Sequence, residues 1–537
     1  MRNVKKWLAL SLSVAMIFGM VACGNDTPAN NSESKITSES TVNKETSEVK
    51  EVPKDPVTLE WWYRGNGVQK DTETVEAAFN ELLQTYPGME HVTVNLNPYL
   101  ASEYKNAVVL AQSAGQQIDL LSTVSLSFAE EVENGTYIAI DDLLAANPQV
   151  KDELPDWLWE MAKIDGSTYI VPNYQRGSNQ MYFITRADYM DKYGDIEEFR
   201  STLQKQDVDV EEVAALMEKY LLAIREGEGL ATKYVEPLSI HFSTVNGFTD
   251  RFDTLTGNFI LSEGSKTVDH LLMSEDIQKA YEISAEWYEK GYVPSDIMTM
   301  NINDYRTTNM KNDASFIYSL ANGAGDEETV SAQFSAKYGF DVYSIPLFTN
   351  YFIGYTWAAG GTGITAGCEN PEEAFRLLEL MTTEEGTELY NMVVYGLEGV
   401  HYEKIDDTHI KTLEYNGTQA GADSSYGCMA WIMGNTFHKY LNQGCAENEN
   451  AIALEINENP KNTKSELMGF VPKTADIASQ LEQITAVDKE YKTALINGAM
   501  GKEWKAYYDE YVTKMKNAGL EDVLKALQSQ VDAHLAK

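Results

Sequence analysis

Between residues 57 and 121, strand-like and helix-like segments alternate, and this order restricts the fold more than any other feature of the sequence. The first two strand-like segments alternate apolar and polar residues, and the third is a short apolar run typical of a buried parallel strand. In chain order, the five segments lie at residues 57–61, 75–86, 92–96, 104–111 and 118–121. The order strand, helix, strand, helix, strand predicts a βαβαβ unit with a parallel sheet.

Aromatic and polar residues follow the first and third predicted strands, at the end of the sheet where open parallel sheets bind ligands. Trp61 and Trp62 should point to opposite faces, so one of them is expected in the core. We place Trp62 and Arg64 in a ligand cleft; the alternatives are core packing for Trp62 and a surface salt bridge for Arg64. Backbone N–H groups beside Ser125, after the third strand, could hold a hydroxyl or an anion.

Further elements are predicted in the rest of the chain. Asp165-Gly166 between strand-like flanks predicts a hairpin over residues 163–172. A mostly helical region follows, and residues 243–257, rich in Gly, Asp, Asn and Phe, interrupt it as a predicted loop that projects into a site. Residues 314–320 and 339–346 are typical of buried strands.

A helix is predicted to begin after Asn370, because Pro371 and two glutamates follow this N-cap residue. Its buried face is predicted to comprise Ala374, Leu377, Leu378 and Met381.

The first residues of the chain predict export. Arg2, Lys5 and Lys6 precede an apolar run at residues 7–20, which has the length of a signal-peptide core and is too short to span a bilayer. The run ends in Val21-Ala22-Cys23-Gly24, which resembles the lipobox of bacterial lipoproteins. We therefore expect removal of residues 1–22 and two acyl chains on Cys23, which hold a protein stably at a membrane. The alternative is an ordinary secretory signal that carries a cysteine.

Residues 23–56 are predicted to be the lipidated cysteine and a disordered tether. The segment is dominated by Ser, Thr, Asn, Glu and Lys, and it has too few large apolar residues to offset the entropy of ordering. The folded body is expected to begin near Val57. No segment of that body is apolar enough to span a membrane.

Charge and cysteine content exclude several classes of protein. The formal net charge of −40 repels nucleic-acid phosphates, so no nucleic-acid partner is expected. Beyond Cys23, the cysteines Cys368, Cys428 and Cys445 are too few and too scattered for a zinc site or a disulfide framework, although the sequence leaves open a bridge between the last two. The seven histidines show no metal-binding spacing. We predict no transition metal and no cofactor, and calcium binding is left undetermined.

Several segments in order resemble a known family. They are NGTYIAIDDLL at residues 134–144, the hairpin at residues 164–172, GITAGCENPEEA at residues 363–374 and YGLEGVHY at residues 395–402. With MGF at residues 468–470 and a helical tail containing KNAG and LQSQ, the chain resembles the extracellular solute-binding proteins of ABC importers. The resemblance is to their long lipoprotein branch, which is associated with sugar uptake and has a carboxyl-terminal domain of unassigned function.

The resemblance implies an α/β fold of the two-lobed, type II periplasmic-binding-protein class. Each lobe would be a doubly wound sheet flanked by helices, with a helical carboxyl-terminal extension, and the lobes would close on a solute by a hinge motion. The expected boundaries are 57–172 and 296–355 for lobe 1, 173–295 and 356–468 for lobe 2, and 469–537 for the carboxyl-terminal domain.

Carbohydrate binding guides the choice of site residues beyond the first strands. Sugars present C–H faces that suit aromatic rings and hydroxyls that suit Asp, Asn and Arg side chains. The further candidates are Asn173, Tyr174, Arg176, Asp250, Arg251, Tyr318, Tyr355, Trp357, Trp431 and Asn435. The alternative roles are a solvated loop for the first three, an inconsequential charge pair for Asp250 and Arg251, and core packing for Tyr318.

The predicted function is a lipid-anchored, extracytoplasmic receptor that captures a carbohydrate, in particular an oligosaccharide, and delivers it to an ABC permease. We expect a monomer without enzymatic activity. The fragment GTGITA at residues 361–366 fits a dinucleotide-binding pattern, but it lacks the opening βαβ context. The alternatives are a lipid-anchored glycoside hydrolase, because carboxylates are too numerous here for counting to discriminate, and a peptide-binding or sensor-presenting protein of the same fold.

Overall fold

The computed structural model describes most of the chain from residue 54 onward. The described residues are 54–176, 182–205, 209–229, 238, 252–262, 264–299, 327–347, 352–353, 360–413, 425–458, 463–467 and 470–536. Their strands are β1 (Val57–Gly65), β2 (Val92–Leu100), β3 (Leu120–Ser122), β4 (Lys163–Ile164), β5 (Ser167–Thr168), β6 (Ile170–Pro172), β7 (Tyr182–Arg186), β8 (Phe252–Thr256), β9 (Phe259–Ser262), β10 (Asp269–His270), β11 (Val342–Pro346), β12 (Phe352–Ile353), β13 (Gly361–Ile364), β14 (Tyr402–Lys404), β15 (His409–Thr412), β16 (Leu441–Asn442) and β17 (Thr463–Lys464).

Helices make up much of the remaining described structure. The α-helices are α1 (Thr72–Leu83), α2 (Tyr104–Ala114), α3 (Phe128–Glu133), α4 (Asp141–Ala146), α5 (Pro148–Glu153), α6 (Asp156–Met161), α7 (Ala187–Tyr193), α8 (Ile196–Leu203), α9 (Val210–Glu228), α10 (Glu275–Glu289), α11 (Glu327–Tyr338), α12 (Pro371–Thr382), α13 (Thr387–Tyr395), α14 (Glu449–Glu458), α15 (Ala478–Ile496), α16 (Trp504–Asn517) and α17 (Leu520–Leu535). Short 3₁₀ turns lie at Leu271–Met273, Ile297–Thr299, Glu384–Gly386, Ala430–Ile432, Thr436–His438, Ala475–Ile477 and Gly501–Glu503.

A five-stranded mixed sheet in the order β2-β1-β3-β13-β6 contains the predicted βαβαβ unit. β1 is parallel to both of its neighbours, with Trp61 opposite Leu96 of β2 and Leu120 of β3. β13 returns from much later in the chain and runs antiparallel between β3 and β6. The predicted strands, helices and parallel pairing over residues 57–121 are therefore confirmed.

Close packing explains the glycines of β13. A Cβ atom added to Gly363 would lie 2.4 Å from the Tyr137 ring, nearer than carbon atoms can approach, so only glycine fits at this point of the strand. The dinucleotide-like pattern that includes Gly361 and Gly363 thus lies within a central strand, where it serves sheet packing and not a phosphate-binding turn.

The predicted hairpin near residue 165 is confirmed. β4 pairs antiparallel with β5, and Asp165 and Gly166 both have positive φ angles, of 50° and 90°, as the tight turn requires. The strand predicted at residues 339–346 is confirmed as β11, which pairs antiparallel with β7. The strand predicted at residues 314–320 lies outside the described residues.

The predicted loop at residues 243–257 is wrong in its described part. Phe252–Thr256 forms β8, which pairs with β9, and β9 pairs with β10 in a three-stranded antiparallel sheet. The buried apolar residues Phe252 and Leu255 stand three positions apart, so they do not show the alternation typical of a strand, and the surrounding polar residues concealed it. Residues 243–251 lie outside the described part of the chain.

The helix predicted after Asn370 is confirmed as α12, with Pro371 at its first position. Asn370 occupies the N-cap position, although its side chain makes no capping hydrogen bond. The four residues predicted for its inner face, Ala374, Leu377, Leu378 and Met381, are all buried.

The carboxyl-terminal region is helical, as predicted. The rings of Tyr491 on α15 and Tyr507 on α16 lie 4.6 Å apart, and Gly519, with a φ of 95°, makes the turn into α17. No helix among the described residues combines the length and the apolar composition needed to cross a bilayer. Cys368, Cys428 and Cys445 are free thiols, so the bridge that the sequence left open is not formed in this structure.

Candidate functional site

A cavity of about 800 Å³ lies at the carboxyl ends of β1 and β3, where the sequence places a ligand. Its walls come from several separate segments of the chain. Near the sheet, they are formed by Arg64, Lys105, Gly360 and the segment 123–128, with Glu130 at the start of α3. The other walls are formed by Gln175, by Leu255 and Thr256 of β8, by Trp431, and by residues of the carboxyl-terminal region: Val471, Pro472, Thr474, Ala478, Leu481, Glu482 and Thr485.

Three of the predicted residues meet at one wall of the cavity. The guanidinium carbon of Arg64 lies 5.0 Å from the centre of the Trp431 ring, a cation–π arrangement. Nη1 of Arg64 donates a hydrogen bond to Oγ of Ser125 at 3.3 Å. Ser125 has a φ of 74°, which is uncommon for a residue with a side chain and brings its hydroxyl to Arg64 in the turn after β3.

The positive charge of Arg64 is not neutralised by a carboxylate of any described residue. It has no carboxylate partner among the described residues, so the surface salt bridge considered as an alternative is absent there. Burial lowers the pKa of the guanidinium, and its Nε is buried without a hydrogen-bond partner. An arginine stays protonated despite such a shift, so Arg64 offers a cation and spare N–H donors to a ligand.

Asn173, Tyr174 and Asn435 lie behind this wall and hold Trp431 in place. The Asn173 side-chain amide donates to the Trp431 carbonyl oxygen at 3.4 Å, and the Tyr174 N–H donates to the Gly434 carbonyl oxygen at 2.8 Å. Asn435 pairs with Tyr174 as an isolated parallel bridge. Only 2% of Asn173 and of Asn435 is exposed, and none of the three lines the cavity.

Further hydrogen bonds fix the segment around Trp431. The Tyr390 hydroxyl donates to the Ala430 carbonyl oxygen at 2.8 Å, and the Asn435 amide group donates to Glu153 at 3.3 Å. Gly434 has a φ of 57°, and an added Cβ would lie 2.2 Å from the Met381 carbonyl oxygen. This glycine therefore permits the turn that follows Trp431.

Trp62 lies in the core and not at the cavity wall. Trp61 is 1% exposed and Trp62 is 3% exposed, so both tryptophans are buried. The ring of Trp62 packs 4.8 Å from the ring of Tyr99 on the neighbouring strand β2. Alternation separates the two tryptophans as expected, but both faces of this sheet are covered, so neither face at this position opens to the cavity.

The other predicted residues divide into two groups. Arg176 is half-buried and does not line the cavity, whereas its neighbour Gln175 does. The remaining candidates lie outside the described residues: Cys23, Asp250, Arg251, Tyr318, Tyr355 and Trp357.

Residues 243–257 were predicted to project into a site, and Leu255 and Thr256 of this segment do line the cavity, whereas the lining residues of the carboxyl-terminal region were not predicted. Leu255 and Thr256 belong to a strand that was predicted to be a loop. The four lining residues of α15 are an alanine, a leucine, a glutamate and a threonine, a mixture that no residue pattern distinguishes from an ordinary helix surface. Their spacing of three and four residues marks one helix face, which was the only available signal.

Residues 77–397, more than half of the chain, match the model of a family described as bacterial extracellular solute-binding protein. Residues 466–536 match a domain of unknown function. No curated protein sequence matches the chain.

Solved structures share the fold. One is the N-glycan transport solute binding protein of Streptococcus pneumoniae, with a TM-score of 0.68 and 19% identity over 90% of this chain and 100% of that one. Another is an alginate-binding protein without calcium ion, with a TM-score of 0.56 and 16% identity over 89% of this chain and 99% of that one. A solute-binding protein from Bifidobacterium longum infantis gives a TM-score of 0.55 and 14% identity over the same shares. At these identities the likeness shows the fold, which agrees with the mixed α/β class that the sequence predicts.

Proposed function

The chain belongs to the family of bacterial extracellular solute-binding proteins, and from this premise we propose that it is a lipid-anchored receptor for an oligosaccharide. In this proposal the cavity captures the sugar between two lobes, and the loaded protein delivers it to an ABC permease that carries out the transport. The protein itself catalyses no reaction on the sugar.

The observation that carries the proposal is the wall formed by Arg64, Ser125 and Trp431. An indole face suits the C–H surface of a sugar ring, and the guanidinium and hydroxyl beside it suit the sugar's hydroxyls. A cavity of about 800 Å³ has room for more than a single small solute, since ligand cavities of roughly 300–1,000 Å³ hold drug-sized molecules. The cavity's position at the strand ends is where such folds bind ligands.

The relatives support a glycan as the class of ligand. The Streptococcus pneumoniae protein has been solved in complex with Man1GlcNAc and with Man5GlcNAc. Another relative from the same organism has been solved in complex with kestose. These sugars differ in composition and linkage, and what they share is a chain of several hydroxyl-rich rings, so we infer an oligosaccharide and leave its identity to experiment.

The anchor and the tether complete the proposal. Cys23 follows a signal-like segment, and the polar residues 25–56 would lift the cavity-bearing body away from the membrane surface. A receptor tethered in this way meets its permease repeatedly, because the tether keeps its effective concentration at the membrane high. This gives a physical reason for joining a soluble binding body to a lipid.

A ligand screen tests the proposal. The purified protein is heated with mannose-containing, fructose-containing and uronate-containing oligosaccharides, and with tri- to pentapeptides as a control. A ligand at 100 times its Kd adds about 2.7 kcal/mol to the free energy of unfolding, which a thermal shift resolves. We expect a shift with one class of oligosaccharide and recovery of that sugar unchanged. A shift with peptides alone would contradict the carbohydrate assignment, and conversion of the sugar to product would indicate a hydrolase.

A further inference from the structure

Four residues of the carboxyl-terminal domain form one wall of the cavity. Ala478, Leu481, Glu482 and Thr485 belong to α15 and all line the cavity. Residues at this spacing lie on a single face of a helix. The domain of unknown function therefore contributes directly to the cavity, together with the family's main body.

Glu482 and Arg64 carry opposite charges and line this one cavity, and neither forms an ion pair with a described residue. The Glu482 carboxylate has no ion pair or hydrogen bond to any described residue, and Arg64 has no carboxylate partner there. The other lining carboxylate, on Glu130, accepts a hydrogen bond from the Thr474 hydroxyl. The second lining cation, Lys105, is exposed to solvent. Glu482 is thus the lining carboxylate with neither oxygen bonded to a described residue, whereas one oxygen of Glu130 is engaged.

A buried polar cluster fixes the position of α15. Asp488, two turns beyond Glu482, accepts a hydrogen bond from the Tyr511 hydroxyl at 2.6 Å and one from the Asn258 amide at 2.7 Å. Nε2 of His270, in β10, lies 3.2 Å from the same carboxylate. Asn258 lies in the turn between β8 and β9, and His270 lies in β10. These contacts therefore hold α15 against the β8–β10 sheet and fix the position of Glu482 in the wall.

The carboxyl-terminal domain is attached on another side of the cavity as well. Nζ of Lys473 lies 2.6 Å from Glu133 of α3, and the Thr474 hydroxyl bonds to Glu130 of the same helix. Helix α3 begins directly after the segment 123–127 that lines the wall near Arg64. The domain is therefore fastened both to the β8–β10 sheet and to the edge of the Arg64 wall.

We propose that the carboxyl-terminal domain determines which sugars fit, with Glu482 as the residue that accepts hydrogen bonds from ligand hydroxyls. Arg64 can only donate hydrogen bonds, and an ionised Glu482 can only accept them. The two walls therefore bind the same hydroxyl-rich sugar in complementary ways: Arg64 donates to hydroxyl oxygens, and Glu482 accepts from hydroxyl groups. The Thr485 hydroxyl donates to the Leu481 carbonyl oxygen at 2.7 Å, which leaves its own oxygen available to a ligand hydroxyl. This inference rests on the proposed function and adds to it a second ligand-binding wall, whose role can be tested separately.

Calorimetric titration of the full-length protein tests the inference. The probes are mannose-containing and fructose-containing oligosaccharides, and the variants are Glu482→Ala, Glu482→Gln and Gln483→Ala. A hydrogen bond to a charged group contributes enough that its loss weakens binding about tenfold or more. We expect that loss for Glu482→Ala and a smaller loss for Glu482→Gln, which keeps one acceptor oxygen. Gln483 is the next residue of the same helix and does not line the cavity, so its variant should bind like the parent.

The outcomes separate this inference from the proposed function. If the parent binds a sugar and Glu482→Ala binds it equally well, the role of Glu482 is contradicted while the receptor assignment stands. If the parent binds none of the sugars, the receptor assignment is contradicted and the inference with it. Thermal unfolding of each variant confirms that it is folded, which is expected because Glu482 is exposed to solvent.

Discussion

The guanidinium carbon of Arg64 lies 5.0 Å from the centre of the Trp431 ring, although the two residues come from distant parts of the chain. The contact joins the end of the first strand of the sheet to a 3₁₀ turn. Hydrogen bonds from Asn173 and Tyr174 hold the segment that contains this turn. Cation–π pairs of this kind contribute about 0.5–2 kcal/mol, according to how far they are desolvated. The pair therefore presents a preorganised aromatic and cationic surface to the cavity.

The two tryptophans Trp431 and Trp62 should respond differently to substitution. Trp431→Ala removes the indole from the cavity wall, so we expect sugar affinity to fall about tenfold or more while the fold is retained. Trp62 is buried against Tyr99, and its Nε1 makes no hydrogen bond, so Trp62→Phe should cost about 1–3 kcal/mol of stability and leave affinity within about twofold. Calorimetric titration and urea unfolding measure the two effects. Unchanged affinity of Trp431→Ala would contradict the site.

The strands and helices near the amino terminus could be predicted because their patterns are local. Residues 57–121 form the expected βαβαβ unit, and the hairpin at Asp165 and the helix at Pro371 carry strong turn and start signals. The β8 strand was missed because Phe252 and Leu255 are its only large apolar residues and stand three positions apart in a polar context. Local pattern does not encode which distant strand, such as β13, completes a sheet.

The candidate site could be predicted only in part. Arg64 and Ser125 were predicted because strand ends collect at one edge of a sheet. Trp431 was predicted because the family resemblance implies a sugar ligand, whose C–H faces suit aromatic rings. All three line the cavity. Trp62 was placed wrongly because alternation gives the face on which a residue lies, and not whether that face is covered. The lining residues of α15, such as Glu482, carried only the signal of a shared helix face, since their role depends on how a distant domain docks.

The Asp488 carboxylate should make stability depend on pH. Burial alone would raise its pKa, but the contact with His270 and the hydrogen bonds from Tyr511 and Asn258 outweigh burial and lower it from 3.8. A carboxyl with a lowered folded pKa contributes stability that is present above the unfolded pKa and is lost as pH falls through the folded one. We expect Asp488→Asn to cost about 3 kcal/mol at pH 7.

Urea unfolding of the parent and of Asp488→Asn at pH 7 and at successively lower pH checks this prediction. The difference between the two proteins should hold above about pH 4 and shrink below it. The exposed Asp509, which pairs with Lys505, is a matched control, because Asp509→Asn should cost less than about 1 kcal/mol. A difference that grows on acidification would contradict the sign of the Asp488 shift.

The three cysteines of the described body should be thiols that react slowly. Burial raises the pKa of Cys368, Cys428 and Cys445 to about 12 in each case. With a pKa of about 12, about one thiol in ten thousand is ionised at pH 8. The thiols should therefore react slowly, because the thiolate is the reactive form. We expect iodoacetamide to label these residues only after unfolding in guanidinium chloride, as read by mass spectrometry. A peptide containing a Cys428–Cys445 disulfide would contradict the free thiols of the structure.

Membrane attachment should depend on Cys23. Two acyl chains hold a protein stably at a bilayer, and Cys23→Ala leaves no acceptor for them. We expect the parent protein in the detergent phase of a Triton X-114 partition and the variant in the aqueous phase. Cys428→Ala, which removes a half-buried free thiol, serves as the control and should partition like the parent. Equal partitioning of the parent and of Cys23→Ala would contradict the anchor.

The most direct test of the receptor assignment is a crystal structure of the protein with the sugar that gives the largest thermal shift. We predict one sugar ring stacked on the Trp431 indole, a ligand oxygen within about 3.2 Å of an Arg64 nitrogen, and further hydroxyls near Ser125. A sugar bound elsewhere on the protein, or a cavity occupied only by solvent at saturating sugar, would contradict the assignment of this cavity as the binding site.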